Sequence, residues 1–168
     1  MPRPKPSAKA KAISYLARRE HSRTELTHKL EKAGYEVDQI QEAIDWVTSH
    51  QFQSDERFTH SLARRRASTF GDRAINAELA QHGLSGASTI DSSTDESLPG
   101  EYERVLQWLS KRYRHKLPDL YEASELDQDA LFKLKAKAYR ALASRGFEFS
   151  HIDRAWKDFL REFLDHRC

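Results

Sequence analysis

The side chains able to do chemistry are thinly spread along this chain. Eight histidines stand at positions 21, 28, 50, 60, 82, 115, 151 and 166, and none belongs to an H-E-x-x-H pair or a Cys/His ligand set. Surface or cap-adjacent roles are expected for them, with no metal and no cofactor. The single cysteine, Cys168, is the last residue; it has no disulfide partner and no pocket-forming sequence around it. No Walker-A loop, G-x-G-x-x-G turn or Gly-x-Ser-x-Gly elbow is present. Asp and Glu pairs recur at helical spacing in polar faces, where solvation is the simpler reading. No catalytic residue is assigned, and the chain is expected not to be an enzyme.

What remains is recognition by arginine, whose planar fork makes bidentate contacts to carboxylate or phosphate. On a helix Arg64, Arg65 and Arg66 project about 100° apart and fan across one side. Arg73 follows in the next element, and Arg18 and Arg19 load the N-terminal region together with Arg3, Lys5, Lys9 and Lys11. These six arginines, at 18, 19, 64, 65, 66 and 73, are the candidate partner contacts. The charge is local, because the net value is only +2 and Asp91, Asp95, Glu96, Glu101 and Glu103 make an opposing acidic stretch.

The elements that must position them read as helices. A first covers about 8–19, with Ile13, Leu16 and Ala17 on one face. Ser22 and Glu25 have capping-box spacing for a second, which carries Leu26 and Leu30 and stops at Gly34. Asp38, with Gln41, is the expected cap of a third bearing Ile40, Ala43, Ile44 and Val47. Ser54 or Asp55 opens a fourth with Phe58 and Leu62, and Gly71-Asp72 a fifth with Ile75 and Leu79, stopped by Gly83. The 85–100 stretch is polar and weak, either a short helix or a linker, and it breaks at Leu98-Pro99-Gly100. Tyr102, Val105, Leu106, Leu109 and Tyr113 mark the next helix; 116–127 reads as a loop. Leu131, Leu134, Ala138 and Leu142 mark another, ended by Gly146, and Ser150 is the expected cap of the last, with Ile152, Ala155, Trp156, Phe159 and Phe163. Trp46, Trp108 and Trp156 fall in apolar stripes and are expected in cores. No strand is expected.

The segments repeat. Leu30, Gly34, Tyr35, Val37, Ile40, Ala43, Ile44 and Val47 align without a gap on Leu142, Gly146, Phe147, Phe149, Ile152, Ala155, Trp156 and Phe159. A partial copy places Ile75, Leu79, Gly83 and Leu84 on Leu26, Leu30, Gly34 and Tyr35. The fold class that follows is all-α, with tandem three-helix repeats stacked into an elongated, curved array, since a unit of about 45 residues is marginal alone. The expected division is a basic Pro-containing tail at 1–9 and repeats at 10–52, 53–99 and 100–168, with Gly34, Gly83 and Gly146 as helix stops.

Composition agrees with helices on a well-solvated surface. Of 168 residues, 38% are hydrophobic and 32% charged, with only 6 Gly and 5 Pro to punctuate them. No apolar run approaches the roughly 20 residues of a membrane helix, and the proline-alternating start has no apolar segment behind it, so a cytoplasmic protein without membrane contact is expected.

Ser54-Asp55-Glu56-Arg57-Phe58, Arg64, Arg66, Phe70-Gly71-Asp72-Arg73-Ala74-Ile75 and Glu78-Leu79-Ala80-Gln81-His82-Gly83-Leu84 together resemble the central block of RecX regulatory proteins. Ala12-Ile13-Ser14-Tyr15-Leu16 with Arg18 to Leu26 resembles that family's opening, and Leu142 to Phe147 with Ile152 and Trp156 its end. The resemblance spans about 10–162. It departs at Asp72, where the family usually has proline, and in 85–96, which is shorter and less apolar than usual. It implies a protein that binds the RecA recombinase filament and, as a regulator of DNA repair, recombination and the SOS response, inhibits RecA's ATPase, strand exchange and repressor co-cleavage; a monomer is expected. Weak affinity for single- or double-stranded DNA fits it too. The rival reading is an independent helical DNA-binding protein of helix-turn-helix type, against which the sequence pI of 8.6 stands.

Overall fold

The structure is a computed structural model that describes residues 5–86, 90–91, 98–122 and 125–165, with backbone alone at 121–122 and 125–126. The start of the tail (1–4), most of the polar 85–99 stretch (87–89 and 92–97) and Cys168 lie outside the described residues. Eight α-helices lie within them: α1 (Ala8–Leu16), α2 (Arg23–Lys32), α3 (Val37–Ser49), α4 (Asp55–Ala67), α5 (Asp72–Gln81), α6 (Glu101–Tyr113), α7 (Gln128–Ala143) and α8 (Phe149–Asp165). Between α6 and α7 are two short 3-10 turns and a minimal antiparallel ladder, β1 (Tyr121–Glu122) on β2 (Glu125–Leu126), paired Tyr121↔Leu126 and Glu122↔Glu125. This ladder, in a segment that reads as loop, is the one departure from an all-helical description among the described residues. No helix among the described residues is long and apolar enough to cross a membrane.

The chain divides into two compact units, Met1–Leu62 with Glu78–Thr89, and Ala63–Ala77 with Ile90–Cys168. In the first, Ala8, Ala12, Leu26, Leu30, Ile40, Ala43, Ile44 and Val47 form one core. Here α1 differs from expectation: it ends at Leu16, and Ile13 is exposed while Ala8 and Ala12 are buried. Alanine at both buried positions lets α1 lie close against α3, which turns Ile13 outward. In the second unit, Val105, Leu109, Tyr113, Leu117, Ala138, Leu142, Phe147, Ile152, Ala155, Trp156 and Phe159 form the core. Burying each large apolar side chain there contributes about 1.5–3 kcal/mol.

The helix ends follow one device. Gly34, Gly83 and Gly146 have φ of +73°, +75° and +80°. The next residue then bonds back to the carbonyl five positions earlier: Tyr35 N–H to Leu30 O (3.3 Å), Leu84 to Leu79 (3.0 Å) and Phe147 to Leu142 (3.3 Å). After Gly34 and Gly146 the following helix starts within three residues, at Val37 and Phe149. That corrects two expected caps. Helix α3 begins at Val37, with Glu36 and Gln39 forming the capping box (Glu36 N–H to Gln39 Oε1, 3.2 Å), and Asp38 sits in its first turn. Helix α8 begins at Phe149, so Ser150 is inside it and donates to Glu148 Oε1 (2.8 Å). Ser22 does cap α2, accepting from Glu25 N–H at 3.0 Å, but Glu25 does not return the bond; its carboxylate takes Arg19 and His21 instead. Ser54 Oγ accepts from Arg57 N–H (3.2 Å) at the start of α4.

Candidate functional site

Arg64 and Arg65 are exposed in the last turn of α4, where the helix dipole favours cations. Arg66 is half-buried, its guanidinium 5.6 Å from the centre of the Phe70 ring. Arg73 is exposed in the first turn of α5 and donates to Ala143 O at 3.2 Å. These four belong to the second unit. Arg18 and Arg19 belong to the first, in the turn after α1. Arg18 is exposed, whereas Arg19 donates to Glu20 O (2.9 Å) and is ion-paired with Glu25. Of the six, Arg19, Arg66 and Arg73 are partly committed to internal contacts, and Arg18, Arg64 and Arg65 are exposed and make no ion pair among the described residues.

Within the first unit, His21 departs from the surface role expected of the histidines. It is 3% exposed, with Nδ1 3.1 Å from Glu25 Oε2. Burial pushes its pKa down, against the pull of Glu25, because the charged ring loses its hydration. Burial also works to raise the Glu25 carboxyl, but the hydrogen bonds from Arg19 and the nearby His21 ring overcome it and hold the group below its usual value.

The second unit contains a polar junction that the sequence does not announce. Glu101, read as part of an acidic surface stretch, is 5% exposed. Its Oε1 accepts from the N–H of Asp72 (3.1 Å) and of Glu148 (3.3 Å), and its Oε2 faces His151 Nδ1 at 2.9 Å. One carboxylate thus satisfies the starts of α5 and α8 from the start of α6. Beside it Arg104, also 5% exposed, donates to Phe70 O (2.9 Å) and Ala67 O (3.3 Å) and pairs with Asp72. Gly71 N–H donates to Arg145 O (3.0 Å), and a Cβ on Gly71 would stand 2.4 Å from Gly146 O. A cleft of about 970 Å3 opens over this junction. Glu101, Glu148 and His151 place three possible ligand atoms within 4.8 Å of one another, but the His151–Glu101 ion pair and the two backbone donors already account for that arrangement.

A second cleft of this unit, about 680 Å3, is predominantly basic. Trp108, Lys111, Arg112, His115, Lys116 and Lys137 line it, and no described carboxylate does. The sequence signal was the run Lys111-Arg112-Tyr113-Arg114-His115-Lys116; the contribution of Lys137 from α7 is visible only in the fold. Trp156 is a core residue at 2% exposure, as expected of it. Trp108 and Trp46 are only half-buried. The Arg112 and Arg145 guanidinium groups lie 5.6 and 5.8 Å from the Trp108 ring centre, and Trp46 stacks with His50 (4.2 Å) and with Phe52 (5.6 Å).

The family comparisons match this arrangement domain by domain. The models for the first, second and third three-helix domains of RecX match residues 8–46, 54–88 and 100–156. The chain is 37% identical to the Regulatory protein RecX of Herbaspirillum seropedicae over 94% of both chains. It is 31% identical to that of Ralstonia nicotianae over 92% of this chain and 89% of the relative. The crystal structure of RecX from Lactobacillus salivarius superposes with a TM-score of 0.66, covering 90% of this chain and 94% of that one at 20% identity, a likeness of fold. Three domains in the family's order, on a chain aligned almost end to end with its relatives, place this protein in the RecX family.

Proposed function

We propose that this chain is a non-enzymatic regulator that binds the RecA recombinase or the RecA–DNA filament in the cytoplasm, as a monomer, and lowers RecA's ATPase, strand exchange and co-protease activities. The observation that carries this reading is the succession of all three RecX domain matches along one chain. Partner contact is spread over the repeats at 10–52, 53–99 and 100–168, in keeping with a partner that is itself a repeating filament. Among the arginines, Arg18, Arg64 and Arg65 are the best placed to meet a partner's carboxylates or phosphates, because their guanidinium groups are exposed and make no ion pair among the described residues.

The test is the ATPase rate of RecA on single-stranded DNA, titrated with this protein. The expected result is a fall at or below one protein per RecA, and a smaller fall with the folded R64A/R65A/R66A variant. An unchanged rate with protein shown to be helical by circular dichroism would refute the reading for that pair. Excess free single-stranded DNA separates filament modulation from sequestration of the DNA.

A further inference from the structure

We propose that the basic cleft beside Trp108 is a binding site for the phosphate backbone of a single nucleic-acid strand. This goes beyond the regulatory reading, since it requires no recombinase. Three elements converge on the cleft: α6 supplies Trp108, Lys111 and Arg112, the 3-10 turn after it supplies His115 and Lys116, and α7 supplies Lys137. The helix dipole explains cations at the end of α6. It does not explain Lys137, which lies in the body of α7, yet its side chain lines the same cleft.

Of the cations that line it, Arg104 is paired with Asp72 and, among the described residues, the other five are not. Lys111, Arg112, His115, Lys116 and Lys137 form no ion pair among the described residues, and no described carboxylate lines the cleft. Several surface cations elsewhere are paired: Lys9 with Glu42, Arg57 with Glu20, Arg114 with Glu162 and Lys157 with Asp153. Like charges gathered without counter-charges repel one another, so the arrangement becomes favourable when a polyanion displaces the counterions. A cleft of one sign suits a ligand of one sign. Arg112 lies over the Trp108 ring, 5.6 Å from its centre, a cation–π contact within the cleft. A concavity of about 680 Å3 admits a few nucleotides of one strand and is too small to seat a duplex.

The experiment uses the full chain and a fluorescein-labelled single-stranded oligonucleotide, read by anisotropy across a salt series, with no recombinase present. The K111A/K116A/K137A variant is expected to bind at least tenfold more weakly at low salt. Its slope of log affinity against log salt should flatten by about 2, from three lost phosphate contacts at about 0.7 each. All three lysines are exposed, so the variant is expected to fold, and circular dichroism checks that. Rescue by K111R/K116R/K137R, which keeps the charge, would support the site. R64A/R65A/R66A is expected to leave the slope within about 0.7 of the parent, the change of a single contact. An unchanged affinity and slope in the folded lysine variant would overturn the proposal. So would tighter binding of a poly-glutamate peptide than of the oligonucleotide, or displacement of the oligonucleotide by inorganic phosphate at equal phosphate concentration. None of these outcomes touches the RecA reading, whose test is the ATPase rate.

Discussion

The first and third three-helix domains carry the same helix-stop device, and only one of them depends on it for packing. Gly34 and Gly146 occupy equivalent repeat positions with φ of +73° and +80°. A Cβ on Gly34 would meet only Lys5 Nζ at 3.6 Å, the end of a flexible side chain. On Gly146 it would stand 2.6 Å from both Cβ and backbone N of Ala74. The residues that follow are equally matched: Val37 and Phe149 are both exposed, at 77% and 65%. The repeat therefore conserves a backbone turn, while the use made of that turn depends on what lies against it. In the third domain the glycine admits another helix at backbone contact; in the first it only ends a helix.

Replacing these glycines tests that difference most severely. Gly34→Ala should cost only the left-handed conformation, about 1–2 kcal/mol. Gly146→Ala should cost this plus forced repacking, roughly 2–5 kcal/mol in all. Gly71→Ala, which has no positive φ, isolates the overlap itself at about 1–3 kcal/mol. Urea unfolding of the three variants measures the order, and equal losses at 34 and 146 would break the comparison.

The next effect separates local caps from shared ones. Helix α2 is capped by its own neighbour Ser22, and Ser22→Ala should cost about 1 kcal/mol. Helices α5 and α8 share the buried Glu101. Glu101→Gln loses the charge facing His151 and weakens two backbone bonds, which should cost about 1.5–3 kcal/mol. A loss at Glu101 no larger than at Ser22 would show that the junction is not held by that carboxylate.

This contrast also marks how much of the molecule the sequence makes legible. The helices, the glycine turns and the aligned stripes are visible because each depends on residues within two or three turns of one another. The caps at Asp38 and Ser150 are misplaced by two residues for a physical reason: Asp and Ser are the better isolated N-caps, but the bonded turn after Gly34 and Gly146 commits the chain to helix immediately. Glu101, Arg104 and Lys137 act through partners 29 to 50 residues away or through another helix, and no local pattern carries that. For the arginines the sequence shows where charge gathers, but not that Arg19 is bound to Glu25 or that Arg73 reaches Ala143.

A smaller effect comes from His21 in the first unit, which faces Glu25, with Arg19 and Lys29 nearby. Its folded pKa lies below the ordinary 6.5, so the unfolded chain takes up the proton first. The stability this contributes is complete above the unfolded value and declines as pH falls through the folded one. Glu25 stays ionised through that range, since its own pKa is lowered from 4.5. The urea midpoint of the parent should therefore fall between pH 7.5 and 5.5 by more than that of His21→Gln. Parallel curves would mean that the buried ring accepts its proton without cost.

The smallest expected effect concerns lysines. In the first domain Lys5 donates to Gly34 O at 2.6 Å and lies 4.1 Å from the Tyr35 ring centre, whose hydroxyl in turn donates to Pro6 O at 2.7 Å. Lys5→Ala should lower stability by about 0.5–1 kcal/mol. Among the described residues Lys111, Lys116 and Lys137 make no ion pair, Lys116 lies 5.7 Å from the Tyr113 ring centre, and all three stand among like charges. Their combined replacement by alanine should leave stability within about 0.5 kcal/mol or raise it slightly, because repulsion is relieved. A rise in the urea midpoint that shrinks as salt is added is the signature of charge kept against folding stability, as expected where a surface is shaped by a ligand rather than by the fold. A clear loss of stability in that variant would mean that the lysines serve the third domain as Lys5 serves the first.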